Sequence, residues 1–405
     1  MNISFDNTEV AFAYKSDKAL SKANFLFKTM DYPWFVQIGT RLTPFFMKTG
    51  LPVHGIIRNT IFKQFVGGET LEETADVGRQ LSEFGVDVIL DYGVEGKEGE
   101  ANFEYATQEF IRVIEYAGKQ QNIPFVSVKV TGLARFALLQ KLNEAPRLRS
   151  GIHANEAENE EWDRVCDRMY RICEAAANAN VAVLVDAEES WIQDPIDRLT
   201  MEMMEAFNKE KAIVYNTIQL YRHDRLQFLK MSHVIAKQRS FILGVKLVRG
   251  AYMEKERARA QQKGYPSPIQ PNKQACDNDY NAAVTYCVEH IDNIATIVAT
   301  HNEQSSLLAA QLLTDKGLSL RHKHLHFSQL YGMSDNITFN LSKAGASVSK
   351  YLPFGPIRDV IPYLMRRAQE NSSVSGQSGR ELGLIKKEME RRKALKEGKV
   401  SMQVG

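Results

Sequence analysis

One stretch near the end of the chain, residues 350–371, gathers side chains suited to binding an anion. It reads KYLPFGPIRDVIPYLMRRAQEN, a short strand, a Gly-Pro break and then a helix. Arg366 and Arg367 follow Tyr363 by three and four residues, so all three share one helix face. Helix N-termini favour anions, and two adjacent guanidinium groups repel each other unless a negative group lies between them. The spacing therefore predicts a site for a carboxylate or a phosphate.

Charged residues also stand in or directly after apolar runs. Lys129 and Lys246 lie inside such runs, and Asp186 ends another. Either lysine could be a structural ion-paired residue, a Schiff-base nucleophile or a fixed positive charge for an anionic ligand. Asp186 could cap the next helix, orient a lysine or accept a hydrogen bond from a cofactor. Glu188 and Glu189, beside it, are expected on a solvated loop or at a helix start.

Two further motifs follow apolar runs. His301 in ATHNEQS could be a residue of a helix cap or a ligand contact. The chain has no H-x-H or H-E-x-x-H motif, so we predict no metal site. In VRGAY, Gly250 and Ala251 would let the backbone approach a ligand closely.

The framework that must position these residues is a series of eight short apolar runs that alternate with amphipathic segments. The runs are 86–93, 125–133, 181–189, 213–221, 242–252, 294–302, 325–333 and 346–355. Strands alternating with helices indicate a parallel sheet, and eight strands fit a closed (β/α)8 barrel of the TIM type. A doubly wound open sheet is the alternative, although no G-x-G-x-x-G follows the first run. In a barrel, the chemistry would lie at the carboxyl ends of the strands.

The barrel is expected over residues 81–375, with helical segments on either side. Residues 1–80 read as an N-terminal helical arm, which includes the amphipathic segment 16–30. Residues 376–405 read as a basic helical tail that could lie free in solvent or touch an anionic membrane surface.

Composition excludes several classes of protein. The 405 residues are 44% hydrophobic and 25% charged with a net charge of +2, which is typical of a soluble globular protein and gives no electrostatic reason for nucleic-acid binding. The four cysteines form no C-x-x-C pair and are expected to be free thiols in a reducing compartment. No run is long enough to span a membrane and no signal-peptide core is present, so we predict a cytoplasmic protein, with peripheral contact at the bacterial inner membrane left open.

The motifs KLVRGAYMEKERARAQ, ATHN, QLYGMSD and YLPFGPIRDVIPYLMRRAQENS, in this order, resemble proline dehydrogenase over roughly residues 60–385. The final block, Y-x-P-x-G-P followed by Y-L-x-R-R-x-x-E-N, is the most specific. KLVRGAY together with GRELGLIKKE is similar to the stand-alone, mitochondrial-like branch. No aldehyde dehydrogenase half is present in the 405 residues, so a separate pyrroline-5-carboxylate dehydrogenase is expected downstream.

The resemblance implies a distorted (β/α)8 barrel with an N-terminal helical extension and non-covalent FAD at its carboxyl mouth. The implied reaction is oxidation of L-proline to Δ1-pyrroline-5-carboxylate, the first step of proline catabolism to glutamate. A hydride would go to flavin N5 and the electrons then to a membrane quinone. A hydroxyproline dehydrogenase, or a Schiff-base lyase on the same barrel, remains an alternative.

The resemblance also implies roles for individual residues. Asp186 and Lys246 match catalytic positions, and Glu95 matches a gate that pairs with an arginine in the empty site. The other implied substrate-binding residues are Lys129, Arg366, Arg367, Tyr252, Leu330, Tyr351 and Tyr363. The implied flavin contacts are Gln219, Lys246, Val248, Arg249, Gly250, Ala251, Thr300, His301 and Glu370. Many bacterial members of the family carry arginine at the position of Lys246. A lysine there keeps the positive charge but lacks the planar guanidinium group of arginine.

Overall fold

The structure, a computed structural model, describes residues 3–30, 55, 57–93, 98–144, 155–373 and 377–398. Eight parallel strands close into a barrel in chain order. They are β1 Asp87–Tyr92, β2 Phe125–Val128, β3 Ala182–Val185, β4 Val214–Gln219, β5 Leu243–Val248, β6 Ile294–Ala299, β7 Leu325–Leu330 and β8 Val348–Phe354. Each predicted run contains one strand. The predicted (β/α)8 barrel is therefore confirmed, and the doubly wound alternative is wrong.

Helices cover the outside of the barrel. They are α1 Thr8–Phe12, α2 Asp17–Met30, α3 Lys63–Phe65, α4 Leu71–Ser82, α5 Glu100–Gly118, α6 Phe136–Glu144, α7 Glu156–Ala179, α8 Gln193–Phe207, α9 Arg225–Gln238, α10 Met253–Lys263, α11 Lys273–Glu289, α12 Glu303–Asp315, α13 Asp335–Lys343, α14 Ile357–Ser373 and α15 Gln377–Lys396. A π-helical turn, Arg58–Phe62, precedes α3, and a 3₁₀ turn, Val130–Gly132, follows β2. Within the described part of the chain, no helix is both long enough and apolar enough to cross a membrane.

The strand period of two decides which residues face the barrel interior. An apolar cluster that includes Ile89, Phe125, Leu184, Tyr215 and Ile297 fills the lower part of the interior. The alternate residues pack outward under the helices in the main core. Toward the carboxyl ends of the strands, the inward-facing side chains change from apolar to polar. The interior is thus a packed core below and a polar site above.

The two ends of the chain pack together beside the barrel. Helix α15 lies on α2 and shares a second apolar core with it, including Phe12, Phe27 and Ile385. Its Arg392 donates hydrogen bonds to the carbonyl oxygens of Phe12 and Lys15, both at 2.8 Å. The predicted terminal helices are present, and the C-terminal one is docked rather than free in solvent.

All four cysteines are free thiols, as predicted. Cys173 and Cys287 are fully buried in the main core. Burial raises the pKa of both thiols, that of Cys287 to about 12, so they behave as small apolar side chains.

Candidate active site

Asp186 is the centre of a charged cluster at the barrel mouth. Its Oδ2 accepts hydrogen bonds from Lys129 Nζ and from the Tyr351 hydroxyl, both at 2.8 Å. Its Oδ1 accepts from Lys246 Nζ. Helix α8 begins only at Gln193, with no side-chain cap. Asp186 therefore orients two lysines, and the helix-cap alternative is wrong.

The charge state of Asp186 follows from two opposed effects. Burial alone would raise its pKa, but the ammonium groups of Lys129 and Lys246 lower the pKa well below its usual range. Asp91, at the end of β1, lies 3.6 Å from Lys129 and adds a second carboxylate. The cluster thus keeps an ionised aspartate at neutral pH.

Tyr351 joins the opposite wall of the barrel to this cluster. It lies on β8, and Lys246 Nζ stands 5.3 Å from the centre of its ring. Its hydroxyl is also 3.3 Å from Ser127 Oγ. Burial and the neighbouring carboxylates raise the pKa of Tyr351 well above 10, so the hydroxyl remains a hydrogen-bond donor.

The predicted face of α14 is directed at the mouth. Tyr363 and Arg367 are both buried, and the Arg367 guanidinium lies 5.2 Å from the Tyr363 ring centre. The charge of Arg367 contributes to a lowered pKa at His301, and the charge of Arg366 opposes the burial that raises the pKa of Tyr252. The helix therefore brings positive charge over the ends of β5 and β6.

Leu330 and Tyr252 complete the apolar wall around this space. Leu330 is the last residue of β7 and packs against the cluster that contains Tyr363. Tyr252 precedes α10, and its ring lies 5.7 Å from Lys255 Nζ. The structure thus brings the predicted substrate-binding residues of the described chain to one end of the barrel.

Apart from Glu370 on α14, the predicted flavin contacts lie along β4, β5 and β6 toward their carboxyl ends. Gln219 ends β4 and donates to the carbonyl oxygen of Glu188 at 2.8 Å. Arg249, directly after Val248, is held by Asp277, Thr300 and Ser305 at 2.7–3.0 Å. This anchoring fixes the guanidinium at the rim of the barrel.

His301 and Gly250 show two different kinds of constraint. His301 Nδ1 lies 2.8 Å from Ser334 Oγ, and burial together with nearby cations lowers its pKa to about 3, so the ring is neutral. Gly250 has φ +135°, and a Cβ there would lie 2.5 Å from the Tyr221 ring. The close approach predicted for Gly250 is made to Tyr221, while Ala251 is exposed.

Two predicted residues receive no structural account. Glu95 lies outside the described residues. The backbone of Glu370 belongs to α14, but its side chain also falls outside the described part of the chain.

The solvated position expected for Glu188 and Glu189 is wrong. Both are buried. Glu188 accepts hydrogen bonds from the Thr131 N–H at 3.1 Å and hydroxyl at 2.7 Å, and burial raises its pKa to about 7. Glu256 accepts two hydrogen bonds from Ser190 and so holds this loop under α10. The positions of the two residues in the sequence could have indicated this contact. Glu188 lies two residues after Asp186 and Thr131 two residues after Lys129, and both of these are predicted site residues at strand ends.

Comparison with known proteins agrees with this architecture. The proline dehydrogenase family model matches residues 75–380. The carbapenem antibiotics biosynthesis protein CarD of Pectobacterium carotovorum is 38% identical over 81% of this chain and 83% of its own. Proline dehydrogenase 1 of Dictyostelium discoideum is 33% identical over 86% and 68% of the two chains, and hydroxyproline dehydrogenase of Xenopus laevis is 30% identical over 94% and 88%.

Among solved structures, the fold is similar to proline utilization A from Bdellovibrio bacteriovorus inactivated by N-propargylglycine. The TM-score is 0.70 at 22% identity over 90% of this chain. This chain spans only 38% of that larger protein. The likeness shows that the two share the barrel fold.

Proposed function

The chain belongs to the proline dehydrogenase family, and we propose that it oxidises L-proline to Δ1-pyrroline-5-carboxylate with non-covalent FAD at the barrel mouth. One structural observation supports this activity in addition to the family match. The Asp186-centred cluster, formed with Lys129, Lys246 and Tyr351, lies where a barrel places its chemistry and faces the arginine-bearing side of α14.

The chemistry of the side chains at the mouth fits FAD. Gln219, Lys246 and Arg249 carry N–H donors suited to the carbonyl oxygens and the pyrophosphate of a flavin dinucleotide. His301 is neutral, so it can take part as a donor or an acceptor. These residues lie on or directly after three successive strands, β4, β5 and β6, which suits an extended ligand. When bound, FAD would accept the hydride that leaves the proline ring carbon next to nitrogen.

The chain's own residues would bind and orient proline. Arg366, Arg367 and Lys129 supply the positive charge for its carboxylate, and bidentate arginine contacts fix direction as well as affinity. Tyr252, Leu330, Tyr351 and Tyr363 supply apolar walls for the ring. Holding the donor carbon close to the acceptor accounts for much of the rate in such a transfer. Glu95 remains proposed as a gate residue, and Glu370 as a flavin contact.

Asp186 has an electrostatic role in this proposal. Because its pKa is well below the usual range, it is a poor acceptor for the proton that the substrate amine must lose. We assign it the task of holding Lys129, Lys246 and the Tyr351 hydroxyl in position. Lys246, where many bacterial members have arginine, would bring its charge beside the flavin through this contact.

The remaining steps are proposed from the family. Electrons would pass to a membrane quinone, and a separate pyrroline-5-carboxylate dehydrogenase would oxidise the product toward glutamate. A cytoplasmic location with peripheral contact at the inner membrane fits these partners.

The direct test is the visible absorption spectrum of the purified protein. We expect a flavin spectrum that bleaches anaerobically when L-proline is added. A colourless protein that cannot be reconstituted with FAD would contradict the proposal.

Two rival functions are distinguished by similar measurements. The relative named hydroxyproline dehydrogenase favours a test of 4-hydroxyproline, but the Tyr351 ring would crowd an additional ring hydroxyl, so we expect higher kcat/KM with proline. The lyase alternative requires a free lysine amine, whereas Lys129 and Lys246 are both held by Asp186. Borohydride trapping of substrate on either lysine would support the lyase.

A further inference from the structure

The start of α15, in the GREL motif, reaches the rim of the barrel. Glu381 is 6% exposed, and its Oε2 accepts a hydrogen bond from the Ser334 N–H at 3.0 Å. Ser334 lies between β7 and α13 with φ 51° and ψ 44°. This left-handed conformation is strained for a residue other than glycine, so it needs outside support. The Glu381 carboxyl is in a position to provide that support.

Ser334 passes the contact on to His301. Its Oγ lies 2.8 Å from His301 Nδ1, on the segment that follows β6. Since the His301 ring is neutral, a hydrogen bond of this kind, rather than an ion pair, determines the plane of the ring. The order of contacts is thus Glu381, Ser334, His301, from the terminal helix to the barrel mouth.

Arg380, next to Glu381, anchors α15 at this place by an independent contact. Its Nε donates to Glu303 Oε1 at 3.0 Å, and its Nη2 to Asp6 Oδ1 at 2.6 Å. Glu303 is the first residue of α12, two residues after His301, and it also accepts from Asn336 Nδ2 at 2.8 Å. The start of α15 therefore contacts the segments after both β6 and β7.

We propose that Glu381, acting through Ser334, is a positioning residue that holds His301 in the orientation with which it binds FAD. This inference rests on the proposed function. It gives the C-terminal helix a task in cofactor binding although Glu381 itself lies outside the barrel mouth. The charged groups that face Glu381 are Asp335, Lys15 and Lys350, so removal of its carboxyl also disturbs a charged cluster.

The experiment compares four variants of the full chain: Glu381→Ala, Glu381→Gln, Ser334→Ala and Glu390→Ala. Glu390 lies on the exposed side of α15 and serves as the matched control. The dissociation constant of FAD is measured by flavin fluorescence, and thermal unfolding is followed in the FAD-free protein. Outer contacts that orient a ligating histidine are typically worth 10–100-fold in affinity at metal sites, so we expect about a tenfold weaker FAD affinity for Glu381→Ala and Ser334→Ala.

Glu381→Gln keeps an oxygen acceptor for the Ser334 N–H, so it should bind FAD within roughly twofold of the parent, as should Glu390→Ala. A lower melting temperature with unchanged FAD affinity in Glu381→Ala and Ser334→Ala would show that the contact is only structural and overturn the inference. If Glu381→Ala does not fold, Ser334→Ala decides, because it removes the hydroxyl and keeps the buried carboxyl. A parent chain that binds no FAD would overturn the proposed function and this inference together.

Discussion

Two clusters of similar composition stand on either side of β8. The inner cluster lies inside the barrel and consists of Asp186, Lys129, Lys246 and Tyr351. The outer cluster lies between the barrel and the terminal helices and consists of Asp335, Lys15, Lys350 and Tyr14. Each is centred on one aspartate held by two lysines and one tyrosine hydroxyl. Each also has a second carboxyl nearby, Asp91 in the inner cluster and Glu381 beside the outer one. Lys350 and Tyr351 are neighbours in sequence and point to opposite sides of the strand.

The two clusters differ in access. In the inner cluster the side chains of Asp186, Lys129 and Lys246 are 13%, 14% and 6% exposed. In the outer cluster Asp335 and Lys350 are 0% exposed and Lys15 is 11% exposed, so the difference lies at the central aspartate and the strand lysine. The outer cluster also satisfies Lys350 with the carbonyl oxygen of Met333 at 2.5 Å. The central aspartate is thus sealed in the outer cluster and partly accessible in the inner one, a difference that the residue types alone do not show.

The largest effect is expected from removing the outer carboxylate. Asp335→Ala would remove the carboxylate that pairs with the fully buried Lys350 and with Lys15, which should lower the free energy of unfolding by about 3–5 kcal/mol. Urea unfolding measures the change. Asp163→Ala, on the exposed face of α7, should stay within about 0.5 kcal/mol of the parent. If Asp335→Ala unfolds at the same urea midpoint as the parent, the outer cluster does not stabilise the fold.

Substitutions on α14 extend the comparison, because they should weaken substrate binding without lowering the stability of the fold. Lysine cannot reproduce the bidentate fork, so Arg366→Lys and Arg367→Lys should each lose about 2–3 kcal/mol of binding and raise the KM for proline. Titration with a non-reactive cyclic carboxylate, read through the flavin spectrum, measures the loss. Arg358→Lys, on the exposed side of the same helix, is the control. If both site variants bind this carboxylate as tightly as the parent, the arginines are structural.

The matching change in the inner cluster is Asp186→Ala. Loss of this carboxylate would leave Lys129 and Lys246 without their shared partner, a penalty of about 1–3 kcal/mol. Because the inner cluster lies at the proposed substrate site, turnover should fall by more than stability does, the reverse of Asp335→Ala. Steady-state kinetics beside urea unfolding measures both quantities. Parent-like turnover would place Asp186 with the structural residues.

Urea unfolding at a series of pH values should distinguish the contribution of the two clusters to stability from that of the buried histidines. The Asp335 pKa is lowered to about 2 and that of Asp186 lies below its usual range, so both stay ionised in mild acid. His326, which packs on Phe125 inside the barrel, has its pKa lowered to about 3 by burial. Its contribution to stability is complete above the unfolded pKa of about 6.5 and is lost as pH falls toward 3, at up to about 1.4 kcal/mol per pH unit. His326→Gln should flatten the pH dependence of urea unfolding between pH 6.5 and 4; an unchanged slope would contradict this.

The smallest effect is expected from the tyrosines. Tyr351→Ser should open space above the proposed position of the substrate ring and relax selectivity toward hydroxyproline, by roughly 1 kcal/mol in the ratio of kcat/KM values. Tyr14→Phe removes the equivalent hydroxyl from the outer cluster and should leave that ratio unchanged. Equal proportional losses on both substrates for Tyr351→Ser would show that its ring does not lie over the substrate.

The sequence by itself determined the barrel and the general location of the site. Apolar runs of strand length alternating with amphipathic segments led to eight strands, and all eight were found. Because side chains alternate along a strand, the inward side of each run could be followed to the polar residues at its end. The shared face of Tyr363, Arg366 and Arg367 also followed from local spacing, since helical periodicity needs no tertiary information.

Tertiary structure alone decided which of these charges meet. Asp186 holds Lys129, which directly follows β2, and Lys246 of β5. Glu188 bonds to Thr131 in the buried loop that Glu256 holds under α10. Tyr14 and Asp335 meet although they are 321 positions apart. Periodicity specifies the side on which a residue lies, but distances between elements and exclusion of water depend on strand register and on how the terminal helices dock. That is the physical reason why two clusters of similar composition, one at the barrel mouth and one packed beside the terminal helices, could not be distinguished before the chain was folded.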